Sequence, residues 1–344
     1  MKGPTYSLSF FLLVLASCSQ PMPEHTGGWE LTEPARALIQ DEKLIRQIFR
    51  ALDAAEAAGT DPRISGFHVR AATTVEHDGT EHVILGGNTE YEVPEAIHGE
   101  TSLLNHVTTL LGREATRNSV RFIAFYGERC GDSLGCGDCR DYEIATTNYQ
   151  QLLIVCGQAS DHTVRIRRFT EGMVPEERFP RTTAVDIPLS KKELESLVQA
   201  ALEARRGGIT LMPTGRHTGA AGLSFAGKTY RAAGADDAAF HFRYPIGGLL
   251  QQAATERDYF LRAIVVAGET GKWPRVSYRD RQYGYESSGF NRLRGKPAIL
   301  LILTDGRGKF RMTTFEEALP HAFSAGAFMP QAVDDFLRSH EANR

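Results

Sequence analysis

Two short motifs carry the residues best suited to chemistry: His98-Gly99-Glu100 and, further along, Cys136-Gly137-Asp138-Cys139. One imidazole and two thiolates make a three-ligand zinc set that leaves a fourth position open for water or substrate. Zinc held in this way lowers the pKa of water to about 7 and so supplies a nucleophile at neutral pH. Glu100 is given no ligand role, because a carboxylate that shuttles protons must release what it receives. The order H-x-E then C-x-x-C suits hydrolytic removal of an exocyclic amine from a ring amidine carbon, with one proton for the ring nitrogen and one for the departing ammonia. His98, Cys136 and Cys139 are thus the expected Zn2+ ligands, and Glu100 the expected catalytic acid and base.

Other readings of the same residues stay open. A structural zinc normally takes four protein ligands, and Cys130 could be the fourth. The C-x-x-C could also be a redox pair, although that chemistry needs neither the histidine nor the glutamate. Cys130 could instead pair with Cys156. Nothing in the spacing of His68, His77, His82, His106, His162, His217 and His241 marks them as ligands.

The elements that must position these motifs occur twice. Leu44, Ile45, Ile48, Phe49 and Leu52 fall on one side of a helix, and so do Leu194, Leu197, Val198, Ala201 and Leu202. The second helix opens with Ser190 and Glu193 in a capping-box pattern. A small-residue segment follows each helix, Val69 to Ala72 and Thr218 to Ala221. Each leads into a hairpin, turning at Asp78-Gly79 and near Ala226-Gly227. Phe122 to Tyr126 and Leu152 to Cys156 read as buried strands of the first half, and Ala263 to Ala267 and Ala298 to Leu303 as those of the second. The zinc motifs are expected to open helices at Thr101 and at Arg140. The halves close alike, Val174-Pro175 to Phe179 and Leu319-Pro320 to Phe323. We expect an α/β fold of two tandem three-layer α/β/α units, each a mixed sheet flanked by helices, with the boundary between Phe179 and Leu189.

Further segments resemble the cytidine deaminase family. Ile64-Ser65-Gly66-Phe67-His68-Val69-Arg70-Ala71-Ala72 is similar to its S-x-F-x-V-G-A-A segment, and Gly87-Asn88-Thr89-Glu90 to its G-x-N-x-E segment. Thr313-Thr314-Phe315-Glu316-Glu317-Ala318-Leu319-Pro320-His321-Ala322-Phe323 is similar to its usual ending. The resemblance runs from about residue 40 to residue 323. It implies that Asn88 and Glu90 hydrogen-bond the ribose hydroxyls, that Phe67 packs on the base, and that Gly99 lies beside the substrate. It also implies a homodimer. The chain departs from the family at Gly99 in H-A-E, at Gly135 in P-C-x-x-C, at Arg70 in V-G-A-A, and in extra residues over Glu128 to Leu134. These bear on the substrate more than on the reaction type.

The corresponding region of the second half, Arg243 to Ala253, has no histidine–glutamate pair, and its approximate C-x-x-C counterpart, Tyr278-Arg279-Asp280-Arg281, has no cysteine. Residues 30–183 are therefore the expected catalytic domain and 184–330 a degenerate copy without a zinc site. The copy is expected to complete the core and a subunit interface. Phe242, Tyr244 and Tyr283 read as core aromatics before pocket walls.

Of 344 residues, 39 are Lys or Arg and 42 Asp or Glu, a net charge of -3 that leaves no basic footprint for nucleic acid. The mixed-charge stretch from Arg165 to Arg181 reads as a solvated face. Residues 1–18 resemble a lipoprotein signal: Lys2, an apolar run from Leu8 to Ala16, then Leu15-Ala16-Ser17-Cys18. Lipidation at Cys18 would anchor the chain to a membrane facing the periplasm or the exterior; otherwise the chain is cytoplasmic. The expected substrate is cytidine, deoxycytidine or a related aminopyrimidine nucleoside, converted to the uridine product and ammonia. The alternatives are a nucleoside antibiotic, a nucleic-acid base, or a non-catalytic ligand-binding lipoprotein on the same scaffold.

Overall fold

The computed structural model describes residues 28–63, 65–91, 96–127, 134–209, 217–236, 242–322 and 330–341. The signal-like segment with Cys18, and also Cys130 and Phe323, lie outside the described residues. The chain divides into two compact units, Met1–Asp132 with Glu143–Thr170, and Ser133–Tyr142 with Glu171–Arg344. Among the described residues no helix is long and apolar enough to cross a membrane.

The first unit holds a six-stranded mixed sheet. Its strands are Glu30–Leu31 (β1), Arg70–His77 (β2), Thr80–Gly87 (β3), Phe122–Tyr126 (β6), Leu153–Gln158 (β7) and Thr163–Arg168 (β8), in the order β1-β8-β7-β6-β2-β3. Thr89–Glu90 (β4) and Ala96–Ile97 (β5) form a separate two-stranded ribbon. The expected turn is present: Asp78 and Gly79 both adopt positive φ and join β2 to β3. Side chains alternate along the buried strands. Phe122 and Ala124 of β6 and Leu153 and Val155 of β7 face Ile48, Ala51, Leu52 and Ala55 of helix Glu42–Glu56 (α2), beside helix Glu33–Leu38 (α1). Helix Gly99–Leu111 (α3) packs against β2 and β3 and is followed by Arg113–Ser119 (α4). Helix Gly137–Thr146 (α5) is divided between the units.

The second unit repeats the plan. Arg181–Thr182 (β9), Gly219–Ser224 (β10), Thr229–Ala233 (β11), Leu261–Ala267 (β14), Leu300–Thr304 (β15) and Phe310–Thr314 (β16) form a sheet ordered β11-β10-β14-β15-β16-β9, and Ala235–Asp236 (β12) pairs with Phe242–Arg243 (β13). Helix Lys191–Arg206 (α6) buries Leu194, Leu197 and Ala201 against Ala263, Val265 and Ile302. Helix Pro245–Thr255 (α7) buries Ile246, Leu249 and Ala253 against Ile264, Val266 and Leu301. Successive residues of β14 thus serve opposite faces, which makes a three-layer unit. The Ser190–Glu193 capping box forms as expected. Bonds from the Ser190 backbone and hydroxyl, then from the Arg262 guanidinium, hold the Glu193 carboxyl below its usual range. Helices Tyr278–Leu293 (α8), Phe315–Ala318 (α9) and Pro330–Glu341 (α10) complete the chain.

One edge strand of each sheet, β1 in the first and β9 in the second, is only two residues long, and the two differ in sense. β1 runs parallel to β8, whereas β9 runs antiparallel to β16. Arg181–Thr182, inside the stretch expected to hold the domain boundary, therefore pairs in the second sheet.

Candidate active site

The first unit carries six of the expected site residues: Phe67, Asn88, Glu90, His98, Gly99 and Glu100. His98 is the N-cap of α3, and Glu100 lies in its first turn, 7% exposed. Thr89 pairs with Ile97 and Glu90 with Ala96, so the strand carrying Glu90 runs beside the residues just before His98. Gly99 fits because a Cβ there would lie 2.9 Å from both the Cγ1 and the carbonyl oxygen of Val69. That close approach leaves little room for a side chain at this position. Gly86 on β3 is tighter still, since a Cβ would overlap the Gly99 carbonyl oxygen and the Leu103 backbone nitrogen. Gly86→Ala is expected to push α3 off the sheet and to cost about 1–3 kcal/mol in unfolding free energy, read by urea denaturation. It should also weaken metal binding, since His98 opens that helix.

Asn88 and Glu90 brace the loop ahead of β2. The Asn88 side chain accepts from the Val69 backbone N–H at 2.9 Å and donates to the Phe67 carbonyl at 2.8 Å. Glu90 accepts from the Ser65 backbone N–H and hydroxyl, and the Ser65 hydroxyl in turn accepts from the Phe67 N–H. Phe67 is half-buried. An amide that makes one bond at each end keeps one donor hydrogen and one acceptor lone pair for a further partner.

The helix bearing the thiols begins at Gly137, three residues before the expected Arg140, so Cys139 lies inside its first turn. The Cys136 sulfur accepts from the Cys139 backbone N–H at 3.5 Å, as a capping side chain would. Cys136 is half-buried and Cys139 fully buried; their sulfurs are 3.5 Å apart and neither is in a disulfide, whereas Cys156 is disulfide-bonded. Next to them Arg140, fully buried, donates to the carbonyls of Gly135, Gly172 and His321. Burial pushes the phenols of Tyr142 and Tyr278 up, so both are neutral at physiological pH.

His98, Cys136 and Cys139 each offer one ligand atom, and the three atoms lie within 4.8 Å of one another. One nitrogen and two sulfurs at that separation fit zinc, a borderline-soft ion that takes thiolate and imidazole together. No other group of three such donors was found among the described residues.

No family model and no curated protein matches the chain. Among solved structures it is similar to the cytidine deaminase from Burkholderia pseudomallei, at 26% identity over 38% of this chain and 98% of that one, with a TM-score of 0.33. It is also similar to the cytidine deaminase from Mycobacterium leprae, at 18% identity over 37% and 97% of the two chains, with a TM-score of 0.31.

Helix starts align the second half with these positions more closely than the sequence does. His98 is the N-cap of α3, and Tyr244 that of α7; Glu100 is matched by Ile246. Ser277, the N-cap of α8, stands for Cys136, Asp280 for Cys139 and Arg281 for Arg140, one residue earlier than the expected stretch from Tyr278. Ser277 accepts from the Asp280 N–H at 3.0 Å, repeating the sulfur cap. Buried Asp280 accepts from the N–H groups of Ile246 and Gly247 at 3.0 and 3.2 Å. A carboxylate thus joins α8 to α7 where a metal ligand would stand. Tyr283 is 38% exposed and so is not a core aromatic: a Cβ on Gly247 would lie 2.8 Å from its ring, and its hydroxyl accepts from Arg279.

Proposed function

We propose that the chain is a zinc-dependent hydrolytic deaminase of an aminopyrimidine nucleoside, cytidine or deoxycytidine first among them, yielding the uridine product and ammonia. The observation that carries this reading is the convergence of His98, Cys136 and Cys139, with buried Glu100 two residues from His98 on α3. The three side chains would hold zinc, which when bound would lower the pKa of water and supply a nucleophile at neutral pH. Glu100 would accept the proton that water gives up, pass it to the ring nitrogen, and deliver another to the departing ammonia. Burial suits this carboxylate, because proton transfer there competes little with bulk water. The Asn88 donor and acceptor sites and the Glu90 carboxylate would receive the ribose hydroxyls, Phe67 would pack on the base, and Gly99 would leave room beside the substrate. A site built to pair a diol discriminates against substrates lacking it.

The test is the ultraviolet absorbance change of a panel at full zinc occupancy. Cytidine should turn over, and free cytosine should be slower by about 100-fold or more, as expected when polar partners are left unpaired. If cytosine and cytidine react alike, the ribose roles of Asn88 and Glu90 are wrong. The Leu15-to-Cys18 motif and the disulfide at Cys156 both favour export with a lipid on Cys18, since disulfides persist in oxidising compartments. Labelling with radioactive palmitate should mark the wild-type chain and not Cys18→Ala; equal labelling of both would remove the anchor.

A further inference from the structure

The loss of metal ligands from the second half leaves unexplained why its helix α8 keeps so specific a seat for the C-x-x-C turn. That turn, residues 134–142, belongs by its contacts to the second unit. A Cβ on Gly137, between the two cysteines, would overlap the Tyr278 carbonyl oxygen, so the helix starts abut at the smallest residue. The Gly137 N–H donates to the Gln282 side-chain oxygen at 3.2 Å, and the Gln282 amide donates to Glu286 at 2.9 Å. Asp141 accepts from the backbone N–H groups of Tyr278 and Arg279 at 3.2 and 3.0 Å, satisfying two of the four donors that a helix start leaves without intrahelical partners. Asp138 pairs with Arg279 at 2.8 Å, and the Arg279 guanidinium lies over Tyr244 and Tyr283. The start of α8 is itself fixed without a metal, by the Ser277 cap and by Asp280 bridging to α7.

We infer that the degenerate half is a positioning support for the thiolate pair: Gln282 directly, and Arg279 through Asp138, hold the turn so that Cys136 and Cys139 stand ready as ligands before metal arrives. This rests on the metal reading above and extends it to residues that touch neither metal nor substrate. Two thiols 3.5 Å apart, neither in a disulfide, on a turn fixed by four separate contacts need little ordering when a cation binds. Metal affinity includes the cost of ordering ligands, and outer groups that orient them typically change it about 10- to 100-fold. Asp280 matters because it frees α8 from any need for its own metal, so the support persists in the apo chain.

The experiment titrates the full-length apo chain with Co(II), which reports thiolate ligation by a near-ultraviolet charge-transfer band, and measures affinity against a chelating dye. Gln282→Leu removes the acceptor at nearly constant volume and is expected to weaken Co(II) binding about 10- to 100-fold and to alter the band. The exchange Gln282→Glu with Glu286→Gln keeps both hydrogen bonds and should restore affinity and spectrum. Should Gln282→Leu fail to fold, the half-exposed Arg279→Ala is read instead, with weaker binding expected. Wild-type affinity and band in the Gln282→Leu chain, or no recovery on exchange, overturns the inference while leaving the metal site standing. Absence of any thiolate band in the wild type overturns both.

Discussion

Glu100→Gln is expected to retain one bound zinc and to lower kcat by about 100- to 10,000-fold, the range for removing a positioned general acid–base group. Glutamine is nearly isosteric, so the first turn of α3 and the seat of Gly99 against Val69 should persist. Zinc content by plasma emission and kcat by ultraviolet assay, on one preparation, separate the effects. Loss of metal would make Glu100 a ligand or a structural residue, and undiminished turnover would place the proton shuttle elsewhere.

The second large effect is on stability. Arg281 is 1% exposed, donates to the carbonyls of Val174 and Ala318 and to the Glu176 carboxylate, and lies over the rings of Phe179 and Tyr278. Glu176 also accepts from the Val276 N–H. Arg281→Ala leaves that carboxylate without its cation and two carbonyls without a donor, an expected cost of about 3–5 kcal/mol. Arg281→Lys should recover only part of it, because one ammonium cannot match a fork spread over three acceptors. Urea midpoints read both variants; a change below about 1 kcal/mol in Arg281→Ala would show that the buried guanidinium is replaceable.

Strands such as Phe122–Tyr126 were legible because both their faces are buried, which leaves an unbroken apolar run. The capping box at Ser190 and the turn at Asp78-Gly79 were legible because their chemistry is local. β1 and β9 were not, since two residues paired at a sheet edge carry no pattern of their own. The start of α5 was misplaced because a cysteine sulfur at Cys136, rather than a familiar oxygen cap, accepts the first-turn N–H. The candidate ligand set was readable from residue type and spacing, as zinc chemistry restricts both, and the three side chains come together in the structure. The bracing of Phe67 and Val69 by Asn88, the bond from Asp280 to the start of α7, and the reach of Arg281 to Glu176 and Ala318 were not, because each depends on backbone far away in sequence.

Hydrolysis at a single metal site, with its three candidate ligands all in the first half of the sequence, has a stoichiometric signature. It is tested most directly by stripping the chain with a chelator, adding zinc back in steps, and following ammonia release from cytidine. No release is expected from the apo chain, and added zinc should give a linear rise that breaks at one zinc per chain. Release without zinc, a break at two, or no ammonia at full occupancy would contradict it.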